Sequence, residues 1–211
     1  MAPVGPDEEL LGVVVHSGLV LGRSRDVVAA VRRITAFPSG LALDTVVLAR
    51  GIHAEAAGRR AHLASTHRRA VETAQREDEA AAWQDSEAAA RREGAAAAER
   101  HHAQQQAIIE RRYLPSFDQG DLLRLGVATP AGQTQWLDAY RSSSSATEDR
   151  CRLEASYWLM PLPVDGLLTL ICSWPEVGLR ETQTDLLLPD LTDQAEQTFR
   201  IWDLQAPGTD G

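Results

Sequence analysis

The stretch VVAAVRRITAFPSGLALDTVVLAR, from Val27 to Arg50, decides the fold. In its second half Leu41, Leu43, Thr45, Val47 and Ala49 recur every second position, with Asp44, Val46, Leu48 and Arg50 between them. A period of two is that of a strand with one face against a core. The first half, Val27 to Ala36, reaches the second through Phe37-Pro38-Ser39-Gly40. Pro38 fixes φ at an early turn position and Gly40 accepts positive φ, so the reversal has a mechanism. The rival reading is a helix over Asp26 to Ile34 capped by Asp26. The β-branched Val27, Val28, Val31, Ile34 and Thr35 weigh against it.

Outward from this hairpin the same grammar continues. Leu11, Val13, Val15, Leu19 and Leu21 alternate upstream, with a bend expected near Ser17-Gly18. Downstream, β sequence resumes at Asp121. Leu122, Leu123, Leu125 and Val127 run to a reversal at Thr129-Pro130-Ala131-Gly132, and Gln133 to Leu137 returns. Ser142 to Ser145, followed by Thr147, Glu148 and Asp149, reads as a solvated loop. Arg152 to Met160 and Leu167 to Trp174 read as a hairpin about Pro161 to Gly166. Leu167 to Cys172 is the most apolar run and should be central. In that register Cys172 faces Ala155 and Cys151 lies four positions away, so the two cysteines are expected as buried free thiols. Thr182, Thr184, Leu186 and Leu188 alternate next. Asp190 or Thr192 then caps a short helix, and Phe199, Ile201 and Trp202 dock on the core.

Between the two β regions the composition changes. Residues 53–112 hold 19 Ala and no Pro, with Glu, Gln and Arg filling most other positions, a mixture that favours helix. Glu55 with Arg59, Arg68 with Glu72, Glu72 with Arg76, and Glu87 with Arg91 are opposite charges four apart. The large apolar residues Leu63, Val71, Trp83, Ile108 and Ile109 are too irregular for a heptad seam. One long helix is expected, with Gly58 and Gly94 as candidate breaks, or a helical hairpin folding near Gln84-Asp85-Ser86, where a cap is on offer; partial disorder is the third option, since a polar helix has little packing to hold it.

The expected fold is therefore mainly β: an antiparallel β-sandwich or partly open barrel of roughly seven to nine short strands, interrupted by a long alanine-rich helix or helical hairpin. Residues 1–52 and 113–204 form a discontinuous β-sandwich domain, 53–112 the inserted helical arm, and 205–211 a flexible tail. No strand leads through a glycine-rich loop into a helix, which disfavours a nucleotide-binding parallel sheet.

Charge separates the two parts. All 21 basic residues are Arg. The arm holds ten Arg and ten acids, whereas the β portion holds eleven Arg against twenty acids. An acidic body disfavours nucleic acid, whose phosphates need local cationic excess. Retention through Arg59, Arg60, Arg68, Arg69, Arg91 and Arg92 of the arm is the weaker alternative. The acidic start, with Asp7, Glu8 and Glu9, is not that of a secretory signal, and no apolar stretch approaches the roughly 20 residues that span a bilayer. A cytoplasmic location is expected, with no membrane partner.

Part of the chain has a family look. Tyr157-Trp158-Leu159-Met160-Pro161-Leu162-Pro163 and Cys172-Ser173-Trp174-Pro175-Glu176-Val177-Gly178-Leu179 resemble a group of uncharacterised actinobacterial proteins. That group carries a Trp-Pro-Leu-Pro-like turn and a Cys-x-Trp-Pro-x-x-Gly-like strand end. Arg124 to Val127 and the turn at Phe37 to Gly40 share the resemblance, which spans residues 1–50 and 120–203. It implies a fold and transfers no activity.

No catalytic constellation emerges, and neither a cofactor nor a metal is implied. His62 and His67 are five apart and His101 and His102 adjacent, spacings that do not converge on a metal. No Ser occupies a nucleophile elbow. Candidate contacts are aromatic and aliphatic. Trp83 stands alone in the polar arm and, with Ile108 and Ile109, is a candidate partner contact for a homodimer or another protein. Trp158 and Trp174, each before a proline turn, could flank a shallow groove. The function expected is non-catalytic protein interaction or scaffolding through the arm. The alternative is a small enzyme or ligand-binding protein with a pocket between the sheets or under the arm.

Overall fold

The computed structural model describes residues 5–112, 123–129, 132–163 and 165–203. The expected tail at 205–211, the 113–122 part of the expected β domain, and Pro130-Ala131 of the second reversal lie outside the described residues. The fold is mixed α and β, with antiparallel sheets and a long inserted helix.

The Val27–Arg50 sequence forms the expected hairpin. β3 (Val27–Phe37) and β4 (Gly40–Arg50) pair from Phe37↔Gly40 to Val27↔Ala49. Leu41, Leu43, Thr45, Val47 and Ala49 are all buried, and the rival helix at Asp26 does not form. β2 (Val13–Arg23) joins β3 as one continuous strand, bulged after Val14 and after Val20, with Gly18 at φ +77° where a bend was expected. On the far side of β4 lie β8 (Arg150–Leu159) and β7 (Ala139–Ala146), completing a five-stranded sheet in the order β2-β3-β4-β8-β7.

A second sheet, in the order β10-β9-β5-β6, is built from β5 (Arg124–Ala128), β6 (Thr134–Trp136), β9 (Leu167–Trp174) and β10 (Leu179–Leu187). The apolar β9 is an interior strand, as its composition requires. Neither sheet closes into a barrel. Leu21, Val31, Ile34, Leu43, Leu125, Leu170 and Trp174 belong to one hydrophobic core shared by both sheets. α3 (Leu191–Glu196) adds Leu191 and Ala195 to it; Asp190 sits at its N-cap with φ 54° and makes no capping bond.

Three expectations are corrected. β8 and β9 are not a hairpin: β8 pairs with β4 and β7, while β9 pairs with β5 and β10, so the Pro161–Gly166 segment carries the chain from one sheet to the other. Cys172 consequently faces Thr182 and Leu125, not Ala155, and both cysteines are free and buried. Ser142 to Ser145 are not a loop. They form most of β7, because cross-strand pairing with β8 satisfies their backbone although nothing in their side chains favours a strand. Phe199, Ile201 and Trp202 do not dock on the core: they are 59%, 42% and 80% exposed, at β11 (Phe199–Arg200), which pairs with β1 (Leu10–Leu11) in a separate two-stranded ladder, and the turn after it.

By compactness the chain divides into two units between Ala61 and His62. The β unit includes the first turns of α1 (Gly51–Glu93), whose Ala54 and Ala57 are in the shared core. The second unit holds the rest of α1 and α2 (Ala95–Arg112). The two helices are separated by Gly94 alone, at φ +92°. Trp83 and His102 meet edge to face with ring centroids 5.6 Å apart. A straight helix would hold them about 28 Å apart, so the chain reverses at Gly94 into a helical hairpin. Gly58 and Gln84 to Ser86 stay within α1, where Ser86 Oγ donates to the Ala82 carbonyl at 2.8 Å. Glu55–Arg59 and Glu87–Arg91 pair at 3.8 and 3.3 Å, whereas the expected Arg68–Glu72 and Glu72–Arg76 pairs rest on side chains outside the described set.

Candidate functional site

The residues singled out from the sequence fall into three environments. In the arm Trp83 is 63% exposed and Ile108 47% exposed, while Ile109 is buried. Trp158 and Trp174 do not flank a common groove. Strand alternation sends Tyr157 inward and Trp158 to the outer face of the five-stranded sheet, where Trp158 packs edge-on to Phe37 at 5.5 Å, in a small cluster with Ala42, Leu10 and Tyr140. Trp174 is fully buried in the shared core. Both indole N–H groups are buried without a hydrogen-bond partner.

The structure assembles a polar site that sequence reasoning missed. Register places Ser17 opposite Arg33, Arg33 opposite Asp44, Asp44 opposite Ser156, and Ser156 opposite Arg141. One transverse row therefore crosses all five strands on the outer face. Two bulges feed it. The extra residue Arg32 in β3 turns Arg32 and Arg33 to the same face, and the extra residue Tyr140 in β7 sets Arg141 in line with Ser156. Above the row is an open depression of about 450 Å³.

Its electrostatics are worked out by hydrogen bonding. Arg33 donates Nε and Nη2 to Asp44 Oδ2 at 3.0 and 2.6 Å, and Ser156 Oγ donates to Asp44 Oδ1 at 2.7 Å. The Tyr140 and Ser156 hydroxyls are hydrogen-bonded, and burial raises the Tyr140 pKa above its ordinary 10.0 despite that bond and the nearby Arg141 and Arg33. Arg32 Nη1 donates to Glu154 Oε1 at 2.7 Å, and Arg152 donates to the same oxygen. The hydrogen bond from Arg152, with the charges of Arg152 and Arg32, holds the Glu154 carboxyl below its ordinary value. Among the described residues Arg141 forms no ion pair with a carboxylate. Both carboxylates are thus committed to guanidinium groups, and positive charge is left over on an acidic body. The sequence signal was present: Arg32-Arg33 and Asp44 interrupt two otherwise apolar strands. It did not say that the interruptions line up.

No three His, Cys, Asp or Glu side chains among the described residues are placed to hold a metal ion. No described helix is long and apolar enough to cross a membrane. No protein-family model, curated protein or solved structure matches the chain.

Proposed function

We propose that the chain is a non-catalytic interaction protein of the cytoplasm, a rigid β-sandwich bearing a helical arm that binds a second copy of itself. One observation carries this reading: Leu63, Trp83 and Ile108 are 62%, 63% and 47% exposed on helices made mostly of Ala, Glu, Gln and Arg. An exposed Trp is the composition of an interface anchor, since its large apolar area gains most from leaving water. A two-fold pairing of arms would bury each Trp83 against the partner without further chemistry.

Analytical ultracentrifugation of the full chain across a concentration series tests it. A dimer is expected, and Trp83→Ala is expected to weaken dimerisation at least about thirtyfold while leaving the far-UV circular dichroism unchanged. A chain that sediments as a monomer throughout, or a Trp83→Ala variant that dimerises like the parent, sinks the proposal. A second reading, a ligand-binding protein or small enzyme, is supported by the polar depression over the Ser17–Arg141 row, where side-chain donors converge on open space.

A further inference from the structure

We infer that the depression on the outer face of the five-stranded sheet is a binding site for a small phosphate monoester, with Arg141, Arg32 and Arg33 as its cationic wall. Arg33 uses Nε and Nη2 on Asp44, and Arg32 uses Nη1 on Glu154. Each guanidinium carries five N–H donors, so both keep donors for a further acceptor. Arg141 has committed none to a carboxylate among the described residues.

Charge points the same way. Three Arg and two carboxylates line the depression, and Arg152 adds a fourth guanidinium by sharing Glu154. The surrounding body has a large acidic excess, so a local cationic surplus is not the expression of a generally basic surface.

The occupant's class follows from geometry. Arg33 and Arg141 stand three strand spacings apart in one row, about 14 Å between backbones, with Asp44 and Ser156 between them, and all four line the depression. A planar carboxylate offers two oxygens. A phosphate monoester offers three terminal oxygens and up to two negative charges, which matches several separate donors, with Ser17 and Ser143 also among the lining residues. The opening admits a small molecule, and the bulges that build it place Arg32 and Arg141 where regular pairing would not.

Isothermal titration of the full chain with inorganic phosphate, in buffer of matched ionic strength, tests the site. Saturable binding is expected for the parent. Arg141→Gln, an exposed change on an edge strand, is expected to weaken it about tenfold, and Arg180→Gln, on the other sheet, to leave it unchanged. Glycerol 3-phosphate should bind at least as well as inorganic phosphate, and acetate should not compete. Absence of saturable phosphate binding, equal affinity in the Arg141→Gln variant, or displacement by acetate at equal concentration overturns the assignment. Unchanged thermal melting of Arg141→Gln without ligand excludes misfolding as the cause of a loss.

Discussion

At Gly40 a side chain has nowhere to go: an added Cβ would collide with the Leu159 carbonyl and come within 2.9 Å of the Trp158 ring. The first obstacle is backbone, which cannot rotate away. Gly40→Ala is expected to cost about 1–3 kcal/mol, read as a lower urea midpoint at unchanged m-value. Trp158 and Trp174 are both buried, and not at the rim of a common groove as their proline turns suggested. Composition could not foretell the layer, because whether Trp158 faces out with Phe37 or in with Tyr157 depends on the register of β8 against β4. The Arg33–Asp44–Ser156–Arg141 row was hidden for the same reason. Each member is an ordinary polar residue in its own segment, and its partners are supplied by three other strands.

Elements were read unevenly, and the unevenness has a cause. β3, β4 and β9 carry their period or their apolarity in adjacent residues, so they were legible. β7 was not, since its four serines have no strand preference and are held by β8. In the arm, alanine content made helix legible, but the position of its reversal rested on one residue. Gly94 at φ +92° has open space where a Cβ would be, so Gly94→Ala meets conformational strain alone. A cost of about 1–2 kcal/mol is expected, confined to the arm. Hydrogen exchange checks this: amides of the α1–α2 reversal should exchange faster, and amides of β9 should not change.

For the whole molecule, buried thiols contribute to the response to alkali. Burial drives the Cys172 thiol up from 9.0 to about 12, and burial raises Cys151 and Tyr140 in the same direction. Between the two Cys172 values the unfolded chain holds fewer protons than the folded one. Its contribution is therefore complete below about pH 9 and is lost as pH rises toward the folded value, at up to about 1.4 kcal/mol per pH unit. Urea unfolding from pH 8 upward should show this decline, and Cys172→Ala should flatten it. A Cys172→Ala curve parallel to the parent's would assign the alkaline loss to other groups.

The sequence by itself determined the strands with a strong period, the reversal at Phe37–Gly40, the helical nature of the alanine-rich insert and the charge contrast between insert and body. These properties reside in residues two to four positions apart, where local sterics and burial act directly. Tertiary structure alone decided which sheet each strand joins, that β8 and β9 part company, that four serines become a strand, and that scattered arginines, a carboxylate and hydroxyls meet in one row. Those outcomes depend on pairing between distant segments, and a shift of one residue in any register would have turned the row toward the core.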